Sequence, residues 1–288
     1  MTTYRKIEVN PIAGALGAEI GGVDLAAIPD EDTFDEIRQA FHENLVIFFR
    51  DQSLTPEQHR SFARRFGELD IHPYAAGLEA YPEVMPVIKE ASDTASNFGG
   101  TWHTDVTFYE KPALGSILYA LDVPESGGDT MFANMYMAYD ALSDGMKLML
   151  DGMTAMHDAS RSYGDTNSRA SERMKKNSGS MKIRTGIDAT KQVEHPVIRT
   201  HPATGRKGLF VNANFTHNFK GWTVAESEPL LQYLYDHAVR PEFTCRFRWK
   251  PGSLAFWDNR CTQHFALNDY AGHRREMHRV TVIGERPV

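Results

Sequence analysis

Three residues from two distant segments of this chain carry the side chains of a metal site. His103 and Asp105 stand one residue apart in Trp102-His103-Thr104-Asp105, and His264 closes the run Trp257-Asp258-Asn259-Arg260-Cys261-Thr262-Gln263-His264. Side chains alternate between the faces of an extended strand, so an H-x-D pair presents an imidazole and a carboxylate in one direction. A second imidazole completes a set of two nitrogens and one oxygen on one facet of an octahedron and leaves the opposite facet open. That is the arrangement of non-haem Fe(II) oxygenases, and it points to oxygen activation. Downstream, Arg275 and Arg279 supply two cations, and the β-branched alternation of Arg279-Val280-Thr281-Val282-Ile283 predicts a strand.

Ligands so distant in sequence need a fold that returns remote strands to one another. A zinc finger keeps its ligands local, whereas a closed β-sandwich brings the ends of the chain onto neighbouring strands. Residues 32–44 place Phe34, Ile37, Phe41 and Leu45 at helical spacing and lead into Val46-Ile47-Phe48-Phe49, a short buried strand. Thr55, Pro56 and Gln58 form a capping signature that predicts a helix over 57–66. Thr223-Val224-Ala225-Glu226 repeats the signal ahead of Leu230, Leu231, Leu234 and Tyr235, which predicts a helix packed outside the sheet. Residues 244–249, the turn Lys250-Pro251-Gly252 and Leu254-Ala255-Phe256-Trp257 read as a hairpin that delivers the chain toward His264.

No internal repeat or boundary divides residues 1–288, and a single domain of that length is ordinary for sandwich and barrel folds. A hydrophobic content of 41% is ample for a core. A net charge of −7 argues against nucleic-acid binding, which needs basic surface to displace counterions. The first residues have no apolar run of the signal-peptide kind, and no stretch approaches the roughly twenty apolar residues of a membrane span. A cytoplasmic location and no membrane partner are expected. Cys245 and Cys261 are then expected as reduced, half-buried thiols. Residues 159–194 are rich in Ser, Lys, Arg, Asp and Gly, and read as a solvated surface insertion or as a lid over the open metal face.

The metal segment, Leu16-Gly17-Ala18-Glu19-Ile20-Gly21-Gly22-Val23-Asp24-Leu25, Gly127-Gly128-Asp129-Thr130, His195-Pro196-Val197, Thr200-His201-Pro202, Leu209-Phe210-Val211-Asn212 and the two arginines occur in an order that spans nearly the whole chain. Together they resemble the taurine dioxygenase-like family of Fe(II)- and 2-oxoglutarate-dependent dioxygenases. The resemblance implies an α+β, mainly β fold: a double-stranded β-helix (jelly-roll) core with flanking helices. It implies that His103, Asp105 and His264 hold Fe(II), with the remaining positions left to the co-substrate 2-oxoglutarate and to dioxygen. Arg275 matches the position that pairs with the distal carboxylate of the keto acid, and Thr130 the hydroxyl that joins it; a guanidinium fork suits a buried carboxylate. Arg274 is then the solvated neighbour. Arg279 matches the clamp on an anionic head group, His72 the histidine that assists sulfonate binding, and Phe215 an aromatic wall. The implied reaction converts 2-oxoglutarate to succinate and carbon dioxide while a carbon of a small anionic organic substrate is hydroxylated. Homo-oligomers, dimers or tetramers, are also implied.

Two departures from the taurine enzymes shrink side chains at the substrate site. Gly99 stands where they carry an asparagine that contacts substrate, and Ala159 where a phenylalanine is expected. A substrate larger or more apolar than taurine follows: a longer alkyl sulfonate, an alkyl sulfate ester or, as the alternative, an aryloxyalkanoate carboxylate. Pro229-Leu230-Leu231-Gln232-Tyr233-Leu234 and Phe243-Thr244-Cys245-Arg246 lean toward the phenoxyalkanoate branch, while His72 and His278-Arg279 lean toward the sulfonate branch. Two readings come from other classes. A Zn-dependent hydrolase on the same three ligands needs only one open position and has no use for an Arg275–Thr130 anion site. A catalytically silent jelly-roll binding protein would be expected to have lost a ligand.

Overall fold

A computed structural model of the chain describes residues 3–94, 97–164, 180, 181, 184 and 188–288. Much of the expected insertion at 159–194 therefore lies outside the described residues. The largest sheet has seven strands in the order β1 (Glu8–Pro11), β2 (Ala18–Gly21), β3 (Val46–Phe49), β13 (Leu254–Asp258), β5 (Ala113–Asp122), β15 (Arg275–Ile283) and β4 (Met85–Lys89). A three-stranded sheet runs β12 (Thr244–Phe247), β6 (Thr130–Asn134), β14 (Thr262–Ala266); another runs β11 (Thr216–Phe219), β7 (Thr154–His157), β8 (Val193–Pro196). A short ribbon pairs β10 (Lys207–Leu209) with β9 (Ile198–Thr200). Among the described residues, pairing is antiparallel except between β2 and β3.

Alternation along the strands makes two cores from one sheet. Ile47, Phe49, Ile117, Leu254, Phe256, Val280 and Val282 face helices α1 (Glu31–Asn44) and α2 (Pro56–Arg64), whose Phe34, Ile37, Phe41 and Phe62 complete that layer. Phe41 stacks on Phe256 with ring centroids 4.0 Å apart. The intervening residues Val46, Phe48, Leu118, Ala120, Ala255, Trp257 and Met277 face the other way and pack with Phe132, Cys245 and Phe247 of the β12-β6-β14 sheet. Arg275 and Arg279 alternate with Met277 on β15, and this inter-sheet space is where the candidate site lies.

The helix expectations hold because their caps are local chemistry. Asp30 accepts from Thr33 N–H at the start of α1, and Thr55 with Gln58 forms a full capping box at α2. Thr223 and Glu226 do the same for the helix Val224–Ala238, which packs Leu231 and Leu234 against Ala155 and Phe219 of the β11-β7-β8 sheet. None of the described helices is long and apolar enough to cross a membrane.

The expected hairpin around Lys250-Pro251-Gly252 does not form. β12 pairs with β6, while β13 pairs with β3 and β5, so the turn carries the chain from one sheet to the other. Turn chemistry reverses the chain without choosing its partners. Gly252 is required there, at φ +77 and with a Cβ that would sit 2.8 Å from the Gln52 carbonyl oxygen. The segment His195-Pro196-Val197-Ile198 is divided between β8 and β9, which belong to different sheets. Cys245 and Cys261 are free thiols, as expected, but fully rather than half buried.

Phe256 joins helix α1 to the centre of the sheet, so Phe256→Ala is expected to cost about 3–5 kcal/mol of stability through lost burial and the cavity left behind. A shift in the midpoint of equilibrium denaturant unfolding checks this.

Candidate active site

His103 and His264 face each other across an isolated antiparallel bridge. His103 N–H donates to the His264 carbonyl (3.1 Å) and His264 N–H to the His103 carbonyl (2.8 Å). Directly opposed residues project on the same side, and the two rings lie 4.2 Å apart between centroids. The extended H-x-D strand anticipated from sequence is only this one bridge long: Asp105 enters a turn, and Val106 adopts φ +47. The turn is held from outside. His195 Nε2–H donates to the carbonyls of Thr107 and Tyr109 (2.9 Å each), and Asn212 Nδ2 donates to the Thr107 hydroxyl (3.2 Å).

Within this frame the Asp105 Oδ1 oxygen lies 3.6 Å from His103 Nε2 and 3.9 Å from His264 Nε2. His103 Nδ1 is 2.7 Å from the Thr101 carbonyl, which can only accept, so the proton is on Nδ1 and the Nε2 lone pair faces the aspartate. All three side chains are buried. Burial works to raise the Asp105 carboxyl, but Arg279, then His264 and His103, hold it well below the usual carboxylate range. His264 is pushed down to about 3 by burial and by His103. Two imidazole nitrogens and an ionised carboxylate converge in a space closed to water. The donor set fits a first-row divalent metal.

A second convergence of His201, Asp258 and Cys261 does not fit one. The Asp258 carboxylate is already taken by Arg260 (2.8 and 2.7 Å) and His201 (3.0 Å), and the Cys261 thiol is pushed up by burial and by Asp258.

Arg275 is 5% exposed, yet its Nε and Nη2 have no hydrogen-bond partner among the described residues. Burial pulls its pKa down against the opposing influence of Tyr270 and Asp129. Gly128, at φ +69, is packed so close that a Cβ would meet Arg275 Cδ and Nε at 3.4 Å. Thr130 is buried nearby, its hydroxyl accepting from Trp249 Nε1 at 3.0 Å, and the Arg275 guanidinium lies 5.9 Å from the Trp249 ring. An unpaired buried guanidinium is a site for an anion. Arg274, by contrast, is bound at the surface by Glu90, Asp122 and Glu276, as a solvated neighbour should be.

Arg279 donates from Nη1 to Asp105 Oδ1 at 3.0 Å and leaves Nε without a partner among the described residues. Phe98 lies under its guanidinium at 5.6 Å, and the same ring packs edge-on to His72. His72 Nδ1 accepts from the Ala75 N–H (3.0 Å), so its proton is on Nε2, which is within a long hydrogen bond, 3.4 Å, of Tyr163 Oη. Phe215 sets its ring edge-on to His103, with centroids 6.1 Å apart. Gly99, at φ +78, places its Cα beside that imidazole, where a Cβ would lie 4.0 Å from Nε2. Ala159 lines a cavity of about 260 Å³ with Tyr74, Phe108, Ala189 and Val193. None of the three donors lines this cavity.

Sequence reasoning missed Ser116, Trp249, Tyr163 and Tyr270. Each is a single side chain in an otherwise ordinary segment, and no spacing marks it. Asn259 lay within a quoted motif but drew no role.

A sequence model of the taurine catabolism dioxygenase TauD, TfdA family matches residues 8–281. The chain is 36% identical to an alpha-ketoglutarate-dependent sulfate ester dioxygenase of Pseudomonas putida, over 98% of this chain and 91% of that protein. It is 33% identical to an alpha-ketoglutarate-dependent 2,4-dichlorophenoxyacetate dioxygenase of Cupriavidus pinatubonensis, over 98% of this chain and 99% of that one. A solved taurine dioxygenase from Burkholderia xenovorans superposes with a TM-score of 0.81 at 36% identity, covering 99% of this chain and 91% of that chain. The chain belongs to the TauD/TfdA family. It is an Fe(II)- and 2-oxoglutarate-dependent dioxygenase.

His72 carries a pH prediction. Burial first, and the Arg279 charge second, push its pKa down to about 3, whereas an unfolded imidazole titrates near 6.5, as a rough reference value. Between these values the unfolded chain binds a proton that the folded chain refuses, so stability falls as pH drops through that window and is unaffected above it. Metal-stripped protein is expected to lose stability from about pH 6.5 downward, and His72→Gln to make that slope shallower by one group's share, the other buried histidines supplying the rest. Identical slopes in denaturant titrations at several pH values would show that the ring is not held neutral.

Proposed function

We propose that His103, Asp105 and His264 hold Fe(II), that Arg275 and Thr130 receive the distal carboxylate of 2-oxoglutarate, and that Arg279 and His72 hold the anionic head of an organic substrate beside Phe215. The observation that carries this reading is the unpaired, buried guanidinium of Arg275 on the same inter-sheet face as Arg279 and the three donors. A hydrolytic Zn site has no use for it. A silent binding protein is disfavoured because all three donors are retained and convergent. We further infer that the seven-stranded sheet and the β12-β6-β14 sheet packed on it are the faces of a double-stranded β-helix, and that residues 1–288 act as one dioxygenase domain.

The bound iron and keto acid supply oxidative decarboxylation of the keto acid coupled to hydroxylation of a substrate carbon. The protein's own residues position and exclude. Arg275 fixes the far end of the keto acid. Phe98, Phe215 and Phe108 keep water from the reacting side, and the His72 Nε2–H with the Arg279 Nε–H offers two donors to oxygens of a head group.

The preferred substrate is an alkyl sulfate ester or alkyl sulfonate with an apolar body larger than that of taurine. Sulfate and sulfonate oxygens suit two converging donors, and Gly99 and Ala159 leave room for carbon. The relative of Pseudomonas putida that acts on sulfate esters supports the same class. An aryloxyalkanoate is the second reading, favoured by the stacked Tyr74–Tyr163 pair and by Phe108, which offer aromatic surface near the head-group donors.

Succinate formation by anaerobically reconstituted Fe(II) protein, on addition of oxygen and 2-oxoglutarate, tests the reading. Alkyl sulfates or longer alkyl sulfonates are expected to stimulate it more than phenoxyalkanoates or taurine. Stimulation only by phenoxyalkanoates would move the substrate to the second class, and the absence of iron-dependent succinate with all of them would sink the catalytic reading. His103→Ala or Asp105→Ala should abolish iron binding and turnover together. Arg275→Ala should weaken 2-oxoglutarate binding by about 2–5 kcal/mol and Arg279→Ala should weaken the substrate instead. Loss of affinity for the same ligand in both arginine variants, read by calorimetry, would overturn the division between them.

A further inference from the structure

The two oxygens of Asp105 have separate partners. Oδ1 faces both imidazole Nε2 atoms and accepts from Arg279. Oδ2 accepts from the Ser116 hydroxyl at 2.7 Å. Ser116 is fully buried in the middle of β5, paired with Trp257 on one side and Thr281 on the other. It stands in the row that continues as Leu118 and Ala120, so its hydroxyl is a polar group on an apolar face.

The hydrogen bonds around Ser116 have one direction. Asn259 Oδ1 lies 3.1 Å from Trp257 Nε1 and 3.2 Å from the Asp105 backbone nitrogen, both donors, which fixes the orientation of the amide. Asn259 Nδ2 therefore points to Ser116 and donates to its Oγ at 3.0 Å. With its oxygen engaged as an acceptor, Ser116 has its hydrogen left for Asp105 Oδ2. The chain from Trp257 through Asn259 to Ser116 ends on one oxygen of the metal-site carboxylate and leaves the other to the histidines.

We propose that Ser116 is a positioning residue that keeps Asp105 a one-oxygen ligand. This rests on the reading that His103, Asp105 and His264 hold the metal. A carboxylate can bind a metal through one oxygen or both. A six-coordinate metal held by two imidazoles and one carboxylate oxygen would keep three positions for its co-substrates. If Oδ2 also bound, one of them would be lost. Ser116 withholds Oδ2 and so preserves the positions that the co-substrates require, and without its hydroxyl Asp105 is free to close on the metal with both oxygens.

The proposal separates metal affinity from keto-acid affinity, which a merely structural role would not. Mn(II) is titrated into the full-length protein by calorimetry, followed by 2-oxoglutarate into the Mn(II)-loaded protein, for wild type and Ser116→Ala. The expected result is Mn(II) affinity unchanged or higher in Ser116→Ala, against the loss of metal affinity usual when an outer-shell partner is removed, with 2-oxoglutarate affinity lower by about tenfold or more. A parallel loss of both affinities, or a wild-type affinity for 2-oxoglutarate, would overturn it. Should Ser116→Ala fail to fold, Ser116→Cys fills nearly the same volume with a weak donor and must show the same split; its absence there is equally decisive. Wild-type protein that binds no Mn(II), or His103→Ala that binds it as well as wild type, would remove the metal reading itself, an outcome distinct from either result for Ser116.

Discussion

The ion pair between Asp105 and Arg279 is the interaction around which the rest of the molecule is arranged. Both groups are buried, 3.0 Å apart, in the space between two sheets. Removing such charges from water costs several kcal/mol for each ion, and the mutual attraction offsets it only where the remaining lone pairs and protons are also met. That requirement explains Ser116 on the second carboxylate oxygen. Arg279 Nε is left unmet among the described residues, and Phe98, which packs against His72, lies under the guanidinium. A guanidinium half committed to a carboxylate and half free is oriented before any ligand arrives, so less ordering remains to be done on binding.

Around that pair, buried histidines serve two different purposes. His103 and His264 offer bare nitrogens to the site. His195 and His157 lie behind the turn that follows Asp105, His195 holding two carbonyls and His157 Nδ1 lying 3.1 Å from the Thr107 hydroxyl. Burial pushes His195 down to about 4, so it stays neutral at ordinary pH and its one N–H goes to the backbone. The turn with Val106 in the left-handed region is strained for a β-branched residue, and strain of this kind persists only where the surroundings over-determine it. Those two histidines, with Asn212, are the surroundings.

The helices could be read directly from sequence because their signals are local. Thr55 with Gln58 and Thr223 with Glu226 satisfy backbone donors within four residues of themselves, whatever the rest of the chain does. The same locality made the Lys250-Pro251-Gly252 turn visible and its hairpin wrong, since the partners of β12 and β13 are set by β6, β3 and β5, more than a hundred residues away in sequence. His103, Asp105 and His264 were legible through residue type and motif, although the strand imagined for the first two is a single bridge followed by a turn. Ser116 was not legible at all. A serine between Gly115 and Ile117 carries no pattern, and its meaning comes only from the opposed positions of Trp257 and Asn259.

Arg275 and Arg279 illustrate how much a strand can decide once it is placed. Four residues along an extended chain span about 13 Å, and residues at even spacing keep to one face. Arg279 touches Asp105, whereas no hydrogen bond links Arg275 to that carboxylate; it stands toward Gly128, Trp249 and Tyr270. Two cations of the same type on one strand are thereby kept out of each other's field and given different neighbours, one a carboxylate in the donor set and the other an aromatic and glycine-lined recess. β15 is hydrogen-bonded on both sides, to β5 and β4, and cannot easily lengthen or slide. The distance between the two anion-binding guanidinium groups is therefore a property of the sheet, and a molecule held at one of them is placed relative to a molecule held at the other without any further device.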